Sequence, residues 1–338
     1  MPMNSNDIKT VQSLLSTSKS IVIVPHKNPD GDAMGSTLAL CKYLNAQGHT
    51  AVVVAPNEYP HFLKWLPGND DVIIYNATTK IATQKIESAD LIFTLDFNDF
   101  SRTGDMEQVL ASASADFIMI DHHQQPSNYA KVTYSDTSMS STCEMVYHFL
   151  DALQATDHID ADMAACLYTG IMTDTGSFRF PSTTAITHEV ISKLIAKGAD
   201  NSHIHRNIYD TNSHTKLQLL GVALKNLRIL PEFKTAYITL TQKELDDHNF
   251  QKGDTEGFVN YGLSLKGIIF AVIFIENKAD NIIKMSLRSK GDFSVNEFAR
   301  THYHGGGHTN AAGGKSDLSL KETVDQFISI LPRYKDKL

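Results

Sequence analysis

The 338-residue chain carries 30 basic and 38 acidic residues, a formal net charge of −8, with 42% hydrophobic and 20% charged residues. This length exceeds one ordinary core and fits two domains, and the acidic balance is the opposite of the basic surface that grips long duplex nucleic acid. No apolar run approaches the roughly 20 residues of a membrane helix, and residues 1–7 lack the basic and apolar parts of an export signal, so a cytoplasmic protein with no membrane partner is expected.

Taken in chain order, the first half alternates short apolar runs with helical periodicity. Ile21 to Val24 reads as a strand, and Gly31 to Gly48 carries Met34, Leu38, Cys41 and Leu44 at helical spacing. Strands are then expected at Thr50 to Ala55, Asp71 to Tyr75, Asp90 to Leu95 and Asp116 to Ile120. Such alternation predicts an α/β domain with a parallel, doubly wound sheet. Ser141-Thr142-Cys143-Glu144 fits a capping box, and helices are predicted over Asp160 to Met172, Thr187 to Lys197 and Thr215 to Leu227. Beyond Thr235 the pattern changes to strands at Thr235 to Leu240, Gly267 to Ile275 and Ile282 to Leu287, a turn-rich stretch, and a last helix near Leu320 to Leu331. The expected organisation is a catalytic domain over 1–190, a helical connector over 191–230, and a smaller α+β domain over 231–338 facing the first across a cleft. Cys41, Cys143 and Cys166 are odd in number and far apart, and are expected to pack rather than to bind metal or pair.

Three of the apolar runs end in Asp and His. Val24 leads to His26, Asp30 and Asp32, with Pro29 and Gly31 turning the backbone; Leu95 is followed by Asp96; Ile120 is followed by Asp121-His122-His123. The carboxyl ends of parallel strands share one edge of a sheet, so these residues are expected to converge on one crevice. Each piece also has a plain structural reading: Asn-Pro-Asp-Gly is a turn sequence, Asp96 suits a helix cap, and Asp174 precedes a turn closed by Gly176. The Asp121–His123 triplet is harder to read that way, because ionisable groups directly after four buried apolar residues carry a desolvation cost unless paired or metal-bound.

These residues, in this order, resemble the DHH phosphoesterases, a family named for the triplet present here as Asp121-His122-His123. The resemblance implies that His26, Asp30 and Asp96 hold one metal ion and that Asp32, Asp96, His122 and Asp174 hold a second, with Asp96 bridging. Imidazole and carboxylate ligands without thiolate suit Mn²⁺, with Mg²⁺ or Co²⁺ as alternatives, and four Asp charges balance two divalent ions. A metal pair lowers the pKa of a shared water and stabilises charge on phosphoryl oxygens, so phosphoester hydrolysis is the expected reaction. Asp121 is expected to orient a neighbouring ligand, and His123 to contact phosphate or transfer a proton.

Near the C-terminus, Met285-Ser286-Leu287-Arg288-Ser289 and His304-Gly305-Gly306-Gly307-His308 combine a strand-borne Arg, suited to bidentate phosphate recognition, with glycines whose N–H groups can approach an anion closely. Together they resemble the C-terminal domain of the DHH subgroup that acts on very short RNAs and on 3′-phosphoadenosine 5′-phosphate. By that resemblance Arg288, Gly306, Gly307 and His308 bind the terminal phosphate or nucleotide of a short single-stranded RNA or small nucleotide. Cyclic or linear dinucleotides and inorganic pyrophosphate are the alternative substrates, and a nucleotide sensor without turnover is the alternative class. His203 and His205 are expected on an exposed helical connection, and a homodimer is the default oligomer.

Overall fold

In the computed structural model, which describes residues 3–338, the chain forms two compact units that divide between Thr211 and Asn212. The expected 191–230 connector is therefore shared. Helices Ala185–Ala196 and Asn201–Tyr209 fall in the first unit, and helix His214–Asn226 falls in the second. No helix among the described residues is long and apolar enough to cross a membrane.

The first unit is built on six strands: β1 (Ser20–Val24), β2 (Thr50–Ala55), β3 (Ile73–Ile74), β4 (Leu91–Leu95), β5 (Asp116–Asp121) and β6 (Val132–Ser135). They are arranged β3-β2-β1-β4-β5-β6, and every pairing is parallel. Alternate side chains feed two cores. Ile21, Ile23, Leu91, Phe93, Leu95, Ile118 and Ile120 pack into one, and Val22, Val24, Ile92 and Phe117 into the other. Burial on both faces is why these strands read as unbroken apolar runs rather than alternating ones. The strand order reverses between β1 and β4, whose C-terminal ends lie side by side and open into His26 and Asp96.

Helices Gly31–Ala46, Thr142–Ala152 and Ala161–Asp174 cover the larger core. Glycines let the first and third of these meet closely. A Cβ at Gly35 would run into the Cys166 carbonyl, and one at Gly170 would lie 2.9 Å from Asp32 Oδ1 and 3.0 Å from its Cα.

The second unit holds β7 (Arg228–Leu230), β8 (Thr235–Leu240), β9 (Phe270–Asn277), β10 (Ile282–Ser289), β11 (Gly306–His308) and β12 (Ala311–Ser316), arranged β11-β12-β10-β9-β8-β7. Only β8 and β9 pair parallel, so the sheet is mixed. Phe270, Phe274, Met285 and Leu287 pack on one face with Phe298 and Phe327, while Ile238, Leu240, Ala271 and Ile273 pack on the other.

Four local expectations are corrected. The Asp71 to Tyr75 strand shrinks to Ile73–Ile74, because Asn69 to Asp71 wind into a 3-10 turn entered through Gly68 at φ 85°. The strand expected from Gly267 begins at Phe270, since Gly267 at φ 80° belongs to a turn that the Ile268 N–H closes onto the Leu265 carbonyl. The glycine stretch expected as a phosphate-cradling loop is the edge hairpin β11–β12, with Thr309 and Asn310 as its two-residue turn. The turn-rich stretch before it also contains helix Val295–His302.

Candidate metal centre

Each ligand candidate is placed by a local backbone device. Asp30 caps helix Gly31–Ala46: its Oδ1 accepts from the N–H groups of Asp32 and Ala33 at 3.0 and 3.1 Å, which leaves Oδ2 to face His26 Nε2 at 3.9 Å. Asp96 has φ +67°, a conformation that few residue types other than Gly, Asn and Asp adopt. Its N–H still donates to the Ile120 carbonyl, so the chain turns away from β4 directly after the sheet ladder. Asp174, expected in a turn, is the last residue of helix Ala161–Asp174.

These devices bring the side chains together. His26, Asp30 and Asp96 present ligand atoms within 4.8 Å of one another, as do Asp32, His122 and Asp174, and also Asp96, Asp121 and His123. His26 Nε2 lies 3.4 Å from Asp96 Oδ2. His122 Nε2 lies 3.5 Å from Asp96 Oδ1, 3.6 Å from Asp174 Oδ2 and 3.7 Å from Asp32 Oδ2. Asp96 thus offers one oxygen to each imidazole. The far nitrogen of each ring is engaged elsewhere, His26 Nδ1 with the Lys27 carbonyl at 2.9 Å and His122 Nδ1 with the Met139 carbonyl at 3.3 Å. A carbonyl can only accept, so Nδ1 carries a proton and Nε2 is the nitrogen that faces the carboxylates: it donates to them in the metal-free protein and would turn its lone pair to an ion once deprotonated.

The electrostatics are those of a cluster of carboxylates in which Asp32, Asp96 and Asp121 are buried. Burial, followed by the charges of Asp96 and Asp174, pushes the Asp32 carboxyl well above its usual range. Burial also raises Asp174, to about 6. Burial by itself would lower His26, but hydrogen bonding to Asp96 and the charges of Asp30 and Asp96 outweigh it and lift the imidazole to about 9. His122, also buried, is raised by its hydrogen bond to Asp96 and by the charges of Asp174, Asp96 and Asp32, and Asp96, held between the two rings, is depressed despite its burial. Asp121 is fully buried with Oδ1 on His123 Nδ1 at 2.7 Å, and its Oδ2 finds no hydrogen-bond partner among the described residues. Crowded carboxylates, two inward-facing imidazole nitrogens and an orphaned buried oxygen fit a site built for cations, and the absence of thiolate from the donor set suits hard divalent ions.

Several contributors escape a reading by residue type. The N-terminus of helix Thr142–Ala152 aims at Asp32, whose oxygens accept from the N–H groups of Thr142 at 2.6 Å and Cys143 at 2.8 Å; the Thr142 hydroxyl donates to Asp96 Oδ1 at 3.0 Å. Helix N-termini favour anions, which makes this end a natural seat for a buried carboxylate. The Ser141 to Glu144 capping box is only half present. The Ser141 hydroxyl receives the Glu144 N–H at 3.0 Å, but the Glu144 carboxylate turns to Ser140 and Thr187 instead of the cap. A helix start following a strand-end His pair was the available signal for these supports.

The proposed substrate residues lie in the second unit. Register aligns Ala271 of β9, Arg288 of β10, Ala311 of β12 and His308 of β11 in one cross-strand row, so Arg288 and His308 share a sheet face with only the small Ala311 between them. Gly306 stands opposite Gly313 in the next row but one, on the same face. Gly307, between them at φ +147°, leaves no space for a Cβ against the Ala311 carbonyl. His203 and His205 sit on helix Asn201–Tyr209, where His205 pairs with the Ser177 hydroxyl at 3.2 Å and His203 stacks edge-on with Trp65.

The chain is similar to known proteins over most of its length. The family described as the DHH family, N-terminal domain, matches residues 20–171, and the DHHA1 domain matches residues 233–334. The chain is 30% identical over 319 residues to the probable bifunctional oligoribonuclease and PAP phosphatase NrnA of Streptococcus mutans, covering 94% of this chain and 96% of that one. It is 29% identical over 309 residues to the bifunctional oligoribonuclease and PAP phosphatase NrnA of Thermus thermophilus, covering 91% and 88%. The crystal structure of an exopolyphosphatase-related protein from Bacteroides fragilis matches with a TM-score of 0.94 at 38% identity, covering 99% of this chain and 98% of that one.

Proposed function

The chain belongs to the DHH family, and on that premise we propose that it is a metal-dependent phosphoesterase that hydrolyses short oligoribonucleotides to nucleoside monophosphates and dephosphorylates 3′-phosphoadenosine 5′-phosphate. The observation that carries this reading is the convergence of His26, Asp30, Asp32, Asp96, His122 and Asp174 around a doubly shared Asp96. In it, His26, Asp30 and Asp96 hold one divalent ion, and Asp32, Asp96, His122 and Asp174 hold the other, Mn²⁺ being the proposed metal. When bound, such a pair supplies positive charge to the phosphoryl oxygens and acidifies water.

The protein's own groups do the rest. Asp121 fixes one proton of His123 on Nδ1, which leaves Nε2 to meet the phosphate or, when it too is protonated, to pass that second proton to the leaving oxygen. Arg288 supplies a planar pair of donors for a terminal phosphate, with the Gly306–Gly307 backbone and His308 beside it. A net charge of −8 gives longer polymers little added affinity, in keeping with small substrates.

The test strips the protein of metal, restores Mn²⁺, and compares turnover of a 5′-phosphorylated RNA dinucleotide, 3′-phosphoadenosine 5′-phosphate, a cyclic dinucleotide, pyrophosphate and long single-stranded DNA. The first two are expected to dominate. Dominant turnover of pyrophosphate or of the cyclic dinucleotide would overturn the assignment.

A further inference from the structure

Glu144 lies outside the ligand set, yet it is a carboxylate only 2% exposed and ringed by donors. Its Oε2 accepts from the Ser140 N–H at 3.3 Å, from the Ser140 hydroxyl and from the Thr187 hydroxyl at 3.1 Å, while Oε1 faces His148 Nε2 at 3.8 Å. A buried carboxylate is costly unless satisfied in this way. What it gathers is informative. Ser140 follows Met139, whose carbonyl holds His122 Nδ1, and precedes Ser141 and Thr142, the second of which holds both Asp32 and Asp96. The Glu144 N–H also donates to the Ser141 hydroxyl, so one residue grips the segment through its backbone and its side chain.

We propose that Glu144 is a positioning residue for the metal centre: its carboxylate fixes residues 139–142, and through them the His122 ring and the Asp32 and Asp96 carboxylates. The proposal rests on the two-ion reading above. His26 and Asp30 are held by other elements, so the effect of Glu144 falls mainly on the ion assigned to Asp32, Asp96, His122 and Asp174, and reaches the other ion only through the shared Asp96. Thr187 extends the support to helix Ala185–Ala196, whose N-terminus it helps cap through Thr184.

The test measures Mn²⁺ binding to the full chain by equilibrium dialysis and by loss of the free-ion resonance signal, together with chemical denaturation in EDTA. The wild type is expected to bind two ions. Glu144→Gln, which keeps the shape and removes the charge, is expected to weaken one of them by about 10–100-fold, the usual effect of removing a group that orients a ligand, and to weaken the other, which shares only Asp96 with it, by a smaller factor. Ser140→Ala keeps the carboxylate but removes one of its donors, and is expected to weaken the same ion by a smaller factor; it carries the test should Glu144→Gln fail to fold. If the wild type binds two ions and both variants bind them with wild-type affinity, Glu144 serves only the fold and the inference is overturned. A wild type that binds no Mn²⁺ overturns the two-ion reading and this inference with it.

Discussion

Burial by itself would strip the proton from His26, yet Asp96 and Asp30 hold it there to about pH 9, so in metal-stripped protein at neutral pH the imidazole carries a proton that ligation must displace. His122 is raised likewise. Binding of Mn²⁺ at about pH 7.5 is therefore expected to release protons and to tighten as the pH rises, which calorimetry in buffers of different ionisation enthalpy reads directly. The same shift has a sign for stability. A group raised from 6.5 to about 9 on folding contributes stability that is complete below pH 6.5 and lost as the pH climbs through 9. Asp174, raised to about 6, loses its contribution in the same direction but at lower pH. Melting temperature in EDTA should accordingly fall between pH 6.5 and 9, and a rise across that interval would contradict the paired geometry of His26 and Asp96. The residue types of the site were legible in the sequence because Asp and His directly after buried apolar runs demand partners. Their supports were not: a backbone carbonyl at Met139 or an N–H at Cys143 has the same chemistry in every residue.

At the scale of elements, the site depends on how closely two helices approach. Helix Gly31–Ala46 delivers Asp32 and helix Ala161–Asp174 delivers Asp174, and Gly170 lies against the first of these aspartates. Gly170→Ala would place a methyl 2.9 Å from Asp32 Oδ1 and closer still to the Cys143 sulfur. The expected result is a loss of about 1–3 kcal/mol of stability, typical of overpacking, together with at least about a tenfold loss of turnover as Asp32 shifts. Gly221, in helix His214–Asn226, has open space within 4 Å of where a methyl would stand, so Gly221→Ala should instead add roughly 0.5–1 kcal/mol through helix propensity alone. Paired thermal melts distinguish the two; equal effects would mean that the Gly170 contact does not matter. Helical and strand periodicity located most of these elements within a few residues. It misplaced those decided by backbone turns at positive φ, such as the Gly68 and Gly267 turns that shorten two strands. It also took Gly306 and Gly307 for a loop, since a glycine run carries no side-chain alternation to mark a strand.

At the scale of the whole molecule, the proposed function gives chemistry to the first unit and recognition to the second. Arg288→Ala is expected to raise KM for a 5′-phosphorylated RNA dinucleotide by about 10–100-fold, the worth of a charge-assisted phosphate contact, while changing kcat much less. Steady-state kinetics would check this, and an unchanged KM would remove Arg288 from substrate binding. By itself the sequence determined the α/β class of the first unit, the mixed α and β content of the second, and the residue types of the candidate site, because buried strands, helical periodicity and strand-end charges are local patterns. Only the tertiary structure decided that β1 and β4 are neighbours at the point where strand order reverses, that Asp96 faces two imidazoles at once, and that Arg288 and His308 share a sheet face. Each of these is a relation between segments far apart in the chain, set by which strands pair and in which register, and no local pattern encodes that choice.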